Sequence, residues 1–268
     1  MTDRLPVRKT YKLFVGGAFP RSESGRTLEV EGHNVARASR KDARDAVVAA
    51  RKAVAGWSGA TAYNRGQVLY RLAETMETRT DALAAASSGR REVARAIDRV
   101  VWYAGWADKL AQVLGSSNPV AGPYFNFTLP EPTGVVAVIA PDEPPLDGLV
   151  SRLVPALVGG NAVVAIASDS HPLAAIELAE AVATSDVPAG VVNVLTGLRS
   201  ELAPVLAGHM DVNAIDVTGA DGDRAALEEL AAENVKRVVR AKEDQSPWEI
   251  ASFMTFQKVN SDTTCIIE

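Results

Sequence analysis

Residues 131–145, EPTGVVAVIAPDEPP, decide the fold of this chain. A proline and a glycine open the stretch, and residues 135–140 then form an apolar run that is rich in β-branched residues and too short for a helix. Such a run between turn-forming residues is typical of a buried strand in a parallel sheet. An acidic, proline-rich loop follows Pro141, and a helical pattern begins near Leu146. The loop therefore lies at the carboxyl end of a strand, where open α/β sheets usually bind ligands.

From residue 134 onward, strand patterns alternate with helical patterns. Strands are predicted at residues 135–140, 162–167, 191–195, 214–217 and 235–240, and helices at 146–158, 172–183, 201–207 and 224–233. Alternating strands and helices form βαβ units, whose strands are parallel and whose helices cover both faces of the sheet. We therefore predict an α/β fold with a doubly wound, five-stranded parallel sheet.

The residues before this sheet have a different pattern. A hairpin is predicted at residues 11–19 and short strands at 26–30 and 34–38, which together would form a small antiparallel layer or an oligomer arm. Helical periodicity predicts helices over residues 41–57, 64–85 and 92–114, the first of them capped by Ser39. Residues 124–129 alternate apolar with polar side chains, which indicates another strand. We predict one compact unit with four parts, at residues 1–123, 124–133, 134–247 and 248–268.

The composition argues against several classes of function. The chain has 28 basic and 33 acidic residues, and this net charge of −5 disfavours nucleic acid as a partner because backbone binding needs a basic surface. The one cysteine, Cys265, permits no intrachain disulfide, and His33, His171 and His209 have no neighbour at metal-ligand spacing. No apolar run approaches the ~20 residues of a membrane helix, and the N-terminus lacks the apolar core of a signal peptide. We predict a cytoplasmic protein without a metal site, nucleic acid or a membrane as partner.

The order of these motifs resembles that of the aldehyde dehydrogenase superfamily. The resemblance is carried by FVGGAF, AVVAARKAVAGWSG, NRGQVLYRLAETME and YAGWADKL, and above all by EPTGVVAVIAP, LVPALVGGNAVV, DVPAGVVNVLTG and VNAIDVTGA. It implies a nucleotide-binding domain for NAD or NADP and the oxidation of aldehydes through a cysteine thiohemiacetal. After Pro247 the family continues into its catalytic domain, whereas PWEIASFMTFQKV resembles the family's C-terminal tail. We expect the catalytic domain to be absent, and Cys265, which follows the tail, does not match the nucleophile.

The positions that match the family's reacting groups carry other residues. In the family an Asn that follows Pro-Trp helps to hold the oxyanion, and such a donor is typically worth ~10²–10³ in rate. Here Asp142 and Glu143 follow the proline, and a carboxylate cannot donate a hydrogen bond. The general-base Glu matches Ala241, and the Gly-Gly-Lys that follows it matches residues 243–245, EDQ. We therefore predict no catalytic residue in this chain.

The candidate cofactor-binding residues are remnants of the family's pattern, namely Ser168, Asp169, Gly197, Thr218 and Gly219. The resemblance places Ser168 and Asp169 at the ribose-binding Lys-Pro-Ser-Glu, whose Lys is lost and whose acid is shortened. Gly197 matches the phosphate loop, but Leu202 lies near the loop's second Gly and would restrict the approach of a pyrophosphate. Thr218 and Gly219 remain from Thr-Gly-Ser, yet turns after strands favour such residues without any ligand. We predict no resident cofactor, with weak NAD or NADP binding as the alternative.

These observations predict a non-catalytic family member that acts as a structural or regulatory subunit through oligomerisation. The resemblance implies that residues 124–129 and the C-terminal tail form oligomer contacts, with a second copy or a full-length aldehyde dehydrogenase as the partner, because an unpaired apolar edge favours association. The alternative is one subunit of an NAD(P)-dependent aldehyde oxidoreductase whose Cys and Glu come from a partner chain. Asp142, Glu143 and Asp169 could also form a carboxylate cluster for a cation or a basic group, although solvated acids at an unused site are the favoured interpretation.

Overall fold

The computed structural model describes residues 8–242 and 244–262. Strands β1 (Thr10–Tyr11), β2 (Thr27–Val30) and β3 (His33–Ala36) form a small sheet in the order β1-β3-β2. Strand β1 runs parallel to β3, so this layer is not wholly antiparallel as predicted. The hairpin predicted at residues 11–19 is a tight turn in which Val15 pairs with Ala18 and the Leu13 N–H bonds to the Pro20 carbonyl.

A group of helices and two strands follows. The elements are α1 (Arg40–Gly59), α2 (Ala62–Thr78), α3 (Thr80–Ala85), α4 (Arg90–Ala104), a 3-10 turn (Ala107–Lys109), α5 (Leu110–Leu114), β4 (Ser116–Asn118) and β5 (Tyr124–Pro132). Ser39 caps α1 as predicted, and the Asp42 carboxylate accepts the Ser39 N–H in return. The second predicted helix is divided at Arg79, whose guanidinium extends to Glu177 and Glu180. The third ends at Ala104, where Gly105 follows.

The second half of the described chain forms the central sheet and its covering helices. The elements are β6 (Val135–Ile139), α6 (Pro145–Val158), β7 (Ala162–Ile166), α7 (Pro172–Ala183), β8 (Val192–Leu195), α8 (Arg199–Gly208), β9 (Ala214–Asp216), α9 (Arg224–Ala232) and β10 (Arg237–Val239). The five strands are parallel and lie in the order β10-β9-β6-β7-β8. This confirms the predicted doubly wound sheet. The chain winds outward from β6 to β8 and returns to the other side of β6 for β9, which places the topological switch point between β6 and β9.

The core lies on both faces of this sheet. Every residue of β6 and β7 is buried, which is why both strands are continuous apolar runs. Successive side chains enter opposite layers: Val136 and Val138 belong to the cluster with α2, α4, α6 and α7, whereas Ala137 and Ile139 belong to the cluster with α1, α8 and α9. None of the helices in the described residues is long and apolar enough to cross a membrane.

The last described elements are α10 (Pro247–Ser252) and β11 (Met254–Asp262), and β11 belongs to a second, antiparallel sheet. This sheet, which we call the arm, has the order β11-β5-β4. Strand β11 pairs with β5 along its whole length, from Met254 opposite Pro132 to Asp262 opposite Tyr124. The expectation that residues 124–129 form an unpaired edge is therefore wrong, because β5 is the middle strand and β11, in the tail, covers one side of it.

Candidate functional site

The ends of β6 and β9 meet at the switch point. We call the gap between their following loops, bounded by Ala140 and Gly219, the switch-point crevice. The two loops approach closely, because a Cβ at Gly219 would collide with the carbonyl oxygen of Ala140. In open α/β sheets this crevice is the usual place for a bound nucleotide.

The side chain of Arg199 occupies the switch-point crevice. Arg199 opens α8, and its guanidinium donates to the carbonyl oxygens of Gly219 at 2.5 Å and Ala140 at 3.0 Å. It also donates to Oδ1 of Asp142 at 2.9 Å. The side chain is 13% exposed, and its Nε has no hydrogen-bond partner among the described residues. A cation of the chain itself thus lies between the strand ends.

Asp142 is the carboxylate that faces this guanidinium. Its Oδ1 also accepts a hydrogen bond from the hydroxyl of Ser168 at 2.7 Å. Partial burial acts to raise the pKa of Asp142, but the Ser168 hydroxyl and the Arg199 charge outweigh it and hold that pKa below its ordinary value. Asp142 is therefore ionised at neutral pH and forms an ion pair with Arg199, while its side chain stays 42% exposed.

The Asp169 carboxylate contacts the backbone of the same arginine. The carboxylate accepts the Arg199 N–H at 3.0 and 3.3 Å, at the first position of α8. Burial raises the pKa of Asp169, a change that the contacts with Arg199 oppose and the nearby Asp142 reinforces. Free N–H groups at a helix N-terminus are ready-made phosphate ligands. At α8 the first of these groups is already bonded to an anion of the chain.

The loop that leads into α7 is held by similar hydrogen bonds. The hydroxyl oxygen of Ser168 accepts the N–H groups of Ser170 at 3.2 Å and His171 at 2.9 Å. The His171 ring lies between two carboxylates, with Glu31 at 2.8 Å from Nδ1 and Glu143 at 3.0 Å from Nε2. Glu143 is therefore paired on the surface rather than clustered with Asp142 and Asp169.

Glu92, a buried residue of α4, covers the N-terminus of α6. Its Oε1 accepts the N–H groups of Leu146 at 2.7 Å and Asp147 at 2.9 Å, and its Oε2 accepts the Ser88 N–H at 2.7 Å. The helices that follow β6 and β8 thus begin with N–H groups bonded to side-chain oxygens of the same chain. These two helix N-termini have little of their usual anion-binding potential left for a ligand.

The predicted cofactor-binding residues have divided roles. Ser168, Asp169 and Gly219 gather around Arg199. Gly197 has a φ of +147°, and a Cβ there would lie 3.0 Å from the Ala38 nitrogen, so its role is a turn. The Thr218 hydroxyl accepts the N–H of Ala241 at 2.8 Å and so joins the loops after β9 and β10.

The sequence interpretation missed Arg199 and Glu92. A local conflict could have revealed Arg199, because a cation at the first position of a helix opposes the helix dipole and needs compensation elsewhere. Nothing in the sequence around Glu92 distinguishes it from an ordinary first-turn acid. Among the described residues no group of three or more potential metal ligands occurs. Cys265 and residue 243 lie outside the described residues.

Residues 27–259 match the model of the aldehyde dehydrogenase family. The chain belongs to the aldehyde dehydrogenase family. Among its relatives in this family, aldehyde dehydrogenase, cytosolic 1, of Elephantulus edwardii is 32% identical over 248 residues, which cover 85% of this chain and 49% of that protein. The chain spans about half the length of the aldehyde dehydrogenases it matches.

Several solved structures share the fold. HpcC from Thermus thermophilus has a TM-score of 0.82 at 29% identity, over 87% of this chain and 48% of that one. A NAD+ complex of aldehyde dehydrogenase from Bacillus cereus has a TM-score of 0.79 at 26% identity, over 86% of this chain and 50% of that one. The resemblance stated from the motifs is thereby confirmed.

Proposed function

We propose that this chain is a non-catalytic member of the aldehyde dehydrogenase family that acts as a structural or regulatory subunit through oligomerisation. The observation that carries the proposal is the guanidinium of Arg199 in the switch-point crevice. A dinucleotide needs this crevice and free helix N–H groups. The Bacillus cereus relative was solved as a NAD+ complex. Here Arg199 takes the space and Asp169 takes the first N–H group of α8.

The loop after β6 supports the same proposal. Oxyanion stabilisation requires a hydrogen-bond donor or a cation that faces the developing charge. Asp142 and Glu143 offer carboxylates, and both are engaged, with Arg199 and with His171 respectively. A negative oxyanion placed beside them would be repelled. The chemistry that the resemblance implies for this loop therefore lacks its donor.

The arm supports the structural role. The register places Phe125, Phe127, Leu129 and Val259 on one face, which we call the apolar arm face. Phe125 is 44% exposed and Leu129 41%, and the other face carries hydrogen-bonded Asn118, Asn126 and Thr128 beside the exposed Tyr124 and Phe256. The outer side of β11 is an open strand edge within the described residues. An apolar face beside an open edge favours association, with a second copy or with a full-length family member.

Calorimetric titration with NAD and NADP tests the nucleotide half of the proposal. We expect no binding heat at millimolar nucleotide, whereas a full-length family member in the same buffer serves as the positive control. Saturable binding at physiological concentration would contradict the proposal and favour the alternative of a split oxidoreductase subunit.

Size-exclusion chromatography with light scattering tests the oligomer half. We expect a dimer or a higher assembly of the pure chain, or a stable complex after mixing with a full-length family member from the same source. A well-behaved monomer that also ignores such a partner would contradict the proposal. A cytoplasmic location stays a prediction from the sequence.

A further inference from the structure

Arg199 contacts the ends of several strands at once. Its guanidinium contacts the end of β6 at the Ala140 carbonyl and the end of β9 at the Gly219 carbonyl. Its backbone N–H contacts the loop after β7 through Asp169. Since Arg199 itself follows β8, one residue links the carboxyl ends of β6, β7, β8 and β9.

The lining of the switch-point crevice has the polarity of a cation site. The groups that accept from the guanidinium are two backbone carbonyls and one carboxylate, at 2.5 to 3.0 Å. All are hydrogen-bond acceptors with negative or partially negative oxygen. A phosphate site needs the reverse arrangement, with N–H groups that point inward. The crevice of this chain is therefore built for a cation.

The shape of the lining selects a guanidinium rather than an ammonium group. The two terminal nitrogens of Arg199 diverge, one to Gly219 and the other to Ala140 and Asp142. A planar fork reaches both strand ends at once, whereas a lysine ammonium presents one point charge. The contacts of the guanidinium also compensate for the helix dipole, which disfavours a cation at the start of α8.

We propose that Arg199 is a built-in ligand, and that the switch-point crevice is a guanidinium-binding site which the chain fills itself to brace its strand ends. The inference rests on the proposed function in one respect, since it requires that no nucleotide competes for the crevice. The Arg199 side chain thereby holds the strand ends together, as a separately bound guanidinium ligand would.

Chemical rescue tests this proposal. Arg199→Ala removes the ligand and should lower Tm by about 4–8 °C, the shift expected for losing charge-assisted hydrogen bonds in a domain of this size. Methylguanidinium chloride at millimolar concentration should then restore Tm in a saturable way, while equal sodium chloride should not. The wild-type chain should not respond, because its crevice is full. Arg199→Ala combined with Asp142→Asn should not respond either, because the carboxylate that holds the cation is gone.

Three outcomes would overturn the proposal: an Arg199→Ala Tm equal to that of the wild type, no rescue beyond sodium chloride, or stabilisation of Arg199→Ala by ADP, which would show an anion site. If Arg199→Ala yields no folded protein, Arg199→Lys and Asp142→Asn replace it. Each should lower Tm partway, and unchanged values would overturn the proposal. Failure of the rescue leaves the proposed function intact, whereas NAD binding by the wild-type chain contradicts the proposed function whatever the rescue shows.

Discussion

The carboxyl edge of the central sheet and the arm differ in how far their groups are covered by the rest of the chain. At the sheet edge, Glu92 and Asp169 bond the first N–H groups of α6 and α8, and Arg199 fills the crevice between the strand ends. In the arm, Phe125 and Leu129 stay exposed on a paired sheet whose outer strand has an open side. The region where related folds bind ligands is closed, while the region suited to association is open. This difference supports the proposal of a structural rather than a catalytic role.

The largest expected effect comes from breaking the connection between the two regions. Arg152 of α6 donates to Asp216 at the end of β9 and to Glu249 of α10, which leads into the arm, and all three are buried. Arg152→Met should lower the free energy of unfolding by about 4 kcal/mol, because it removes the buried guanidinium that two buried carboxylates face. Urea denaturation measures this. Arg152→Lys keeps the charge and should lose less, and equal losses would show that the charge does not matter.

The next effect tests whether the sheet edge is closed from within. Glu92→Ala removes the acceptor of the Ser88, Leu146 and Asp147 N–H groups and should cost about 3 kcal/mol. Glu92→Gln keeps one oxygen and should cost about 1 kcal/mol in the same urea experiment. A loss for Glu92→Ala within error of zero would mean that water satisfies these groups and that the edge is not closed by Glu92.

A smaller effect tests the open face of the arm. Phe125 and Tyr124 are adjacent exposed aromatic residues of β5 whose side chains point to opposite faces. Phe125→Ser should weaken self-association or partner binding about tenfold, the loss expected for one apolar contact at an interface. Tyr124→Ser is the matched control and should change association less, as measured by sedimentation equilibrium. The reverse order would place the interface on the other face of the arm.

The smallest effect serves as a reference outside both regions. Val235 is 93% exposed and has a φ of +54°, at the end of α9 where the Lys236 N–H bonds to Ala231 O and the Val235 N–H to Ala232 O. This is a Schellman cap, which normally has glycine at the left-handed position. Val235→Gly should stabilise the fold by about 1 kcal/mol through relief of that strain. Val235→Ala keeps the Cβ and should change stability little in the same measurement, and an equal gain would assign the effect to side-chain size.

The sequence predicted the strands of the central sheet closely because their burial leaves a local record. The apolar runs that begin at Val135 and Ala162 end within one residue of the predicted position, since both faces of each strand are covered. The break at Arg79 left no such record, because the apolar spacing from Met76 to Leu83 continues across it and the partners Glu177 and Glu180 are far along the chain.

The site was harder to predict, because its contacts also join residues that are far apart in the sequence. The residues at Asp142 and Glu143 showed what had been lost, and Leu202 was named as an obstacle to the cofactor. Arg199 was not found, because two of the three groups that accept from its guanidinium are backbone carbonyls, 59 and 20 residues away. Backbone acceptors have no sequence signature. Glu92 is similar, since the N–H groups it accepts from α6 lie 54 and 55 residues later.

The pairing of β5 with β11 also has a consequence for biosynthesis. Tyr124 pairs with Asp262 and Pro132 with Met254, so β5 leaves the ribosome long before its longest partner strand. At the usual 5–20 residues per second, the delay is on the order of 10 s. During that interval β5 has the short β4 beside it and its other side free. A strand from another nascent or finished chain that reaches β5 in this interval competes with β11 for the same backbone hydrogen bonds. Assembly and folding of this protein therefore compete with each other.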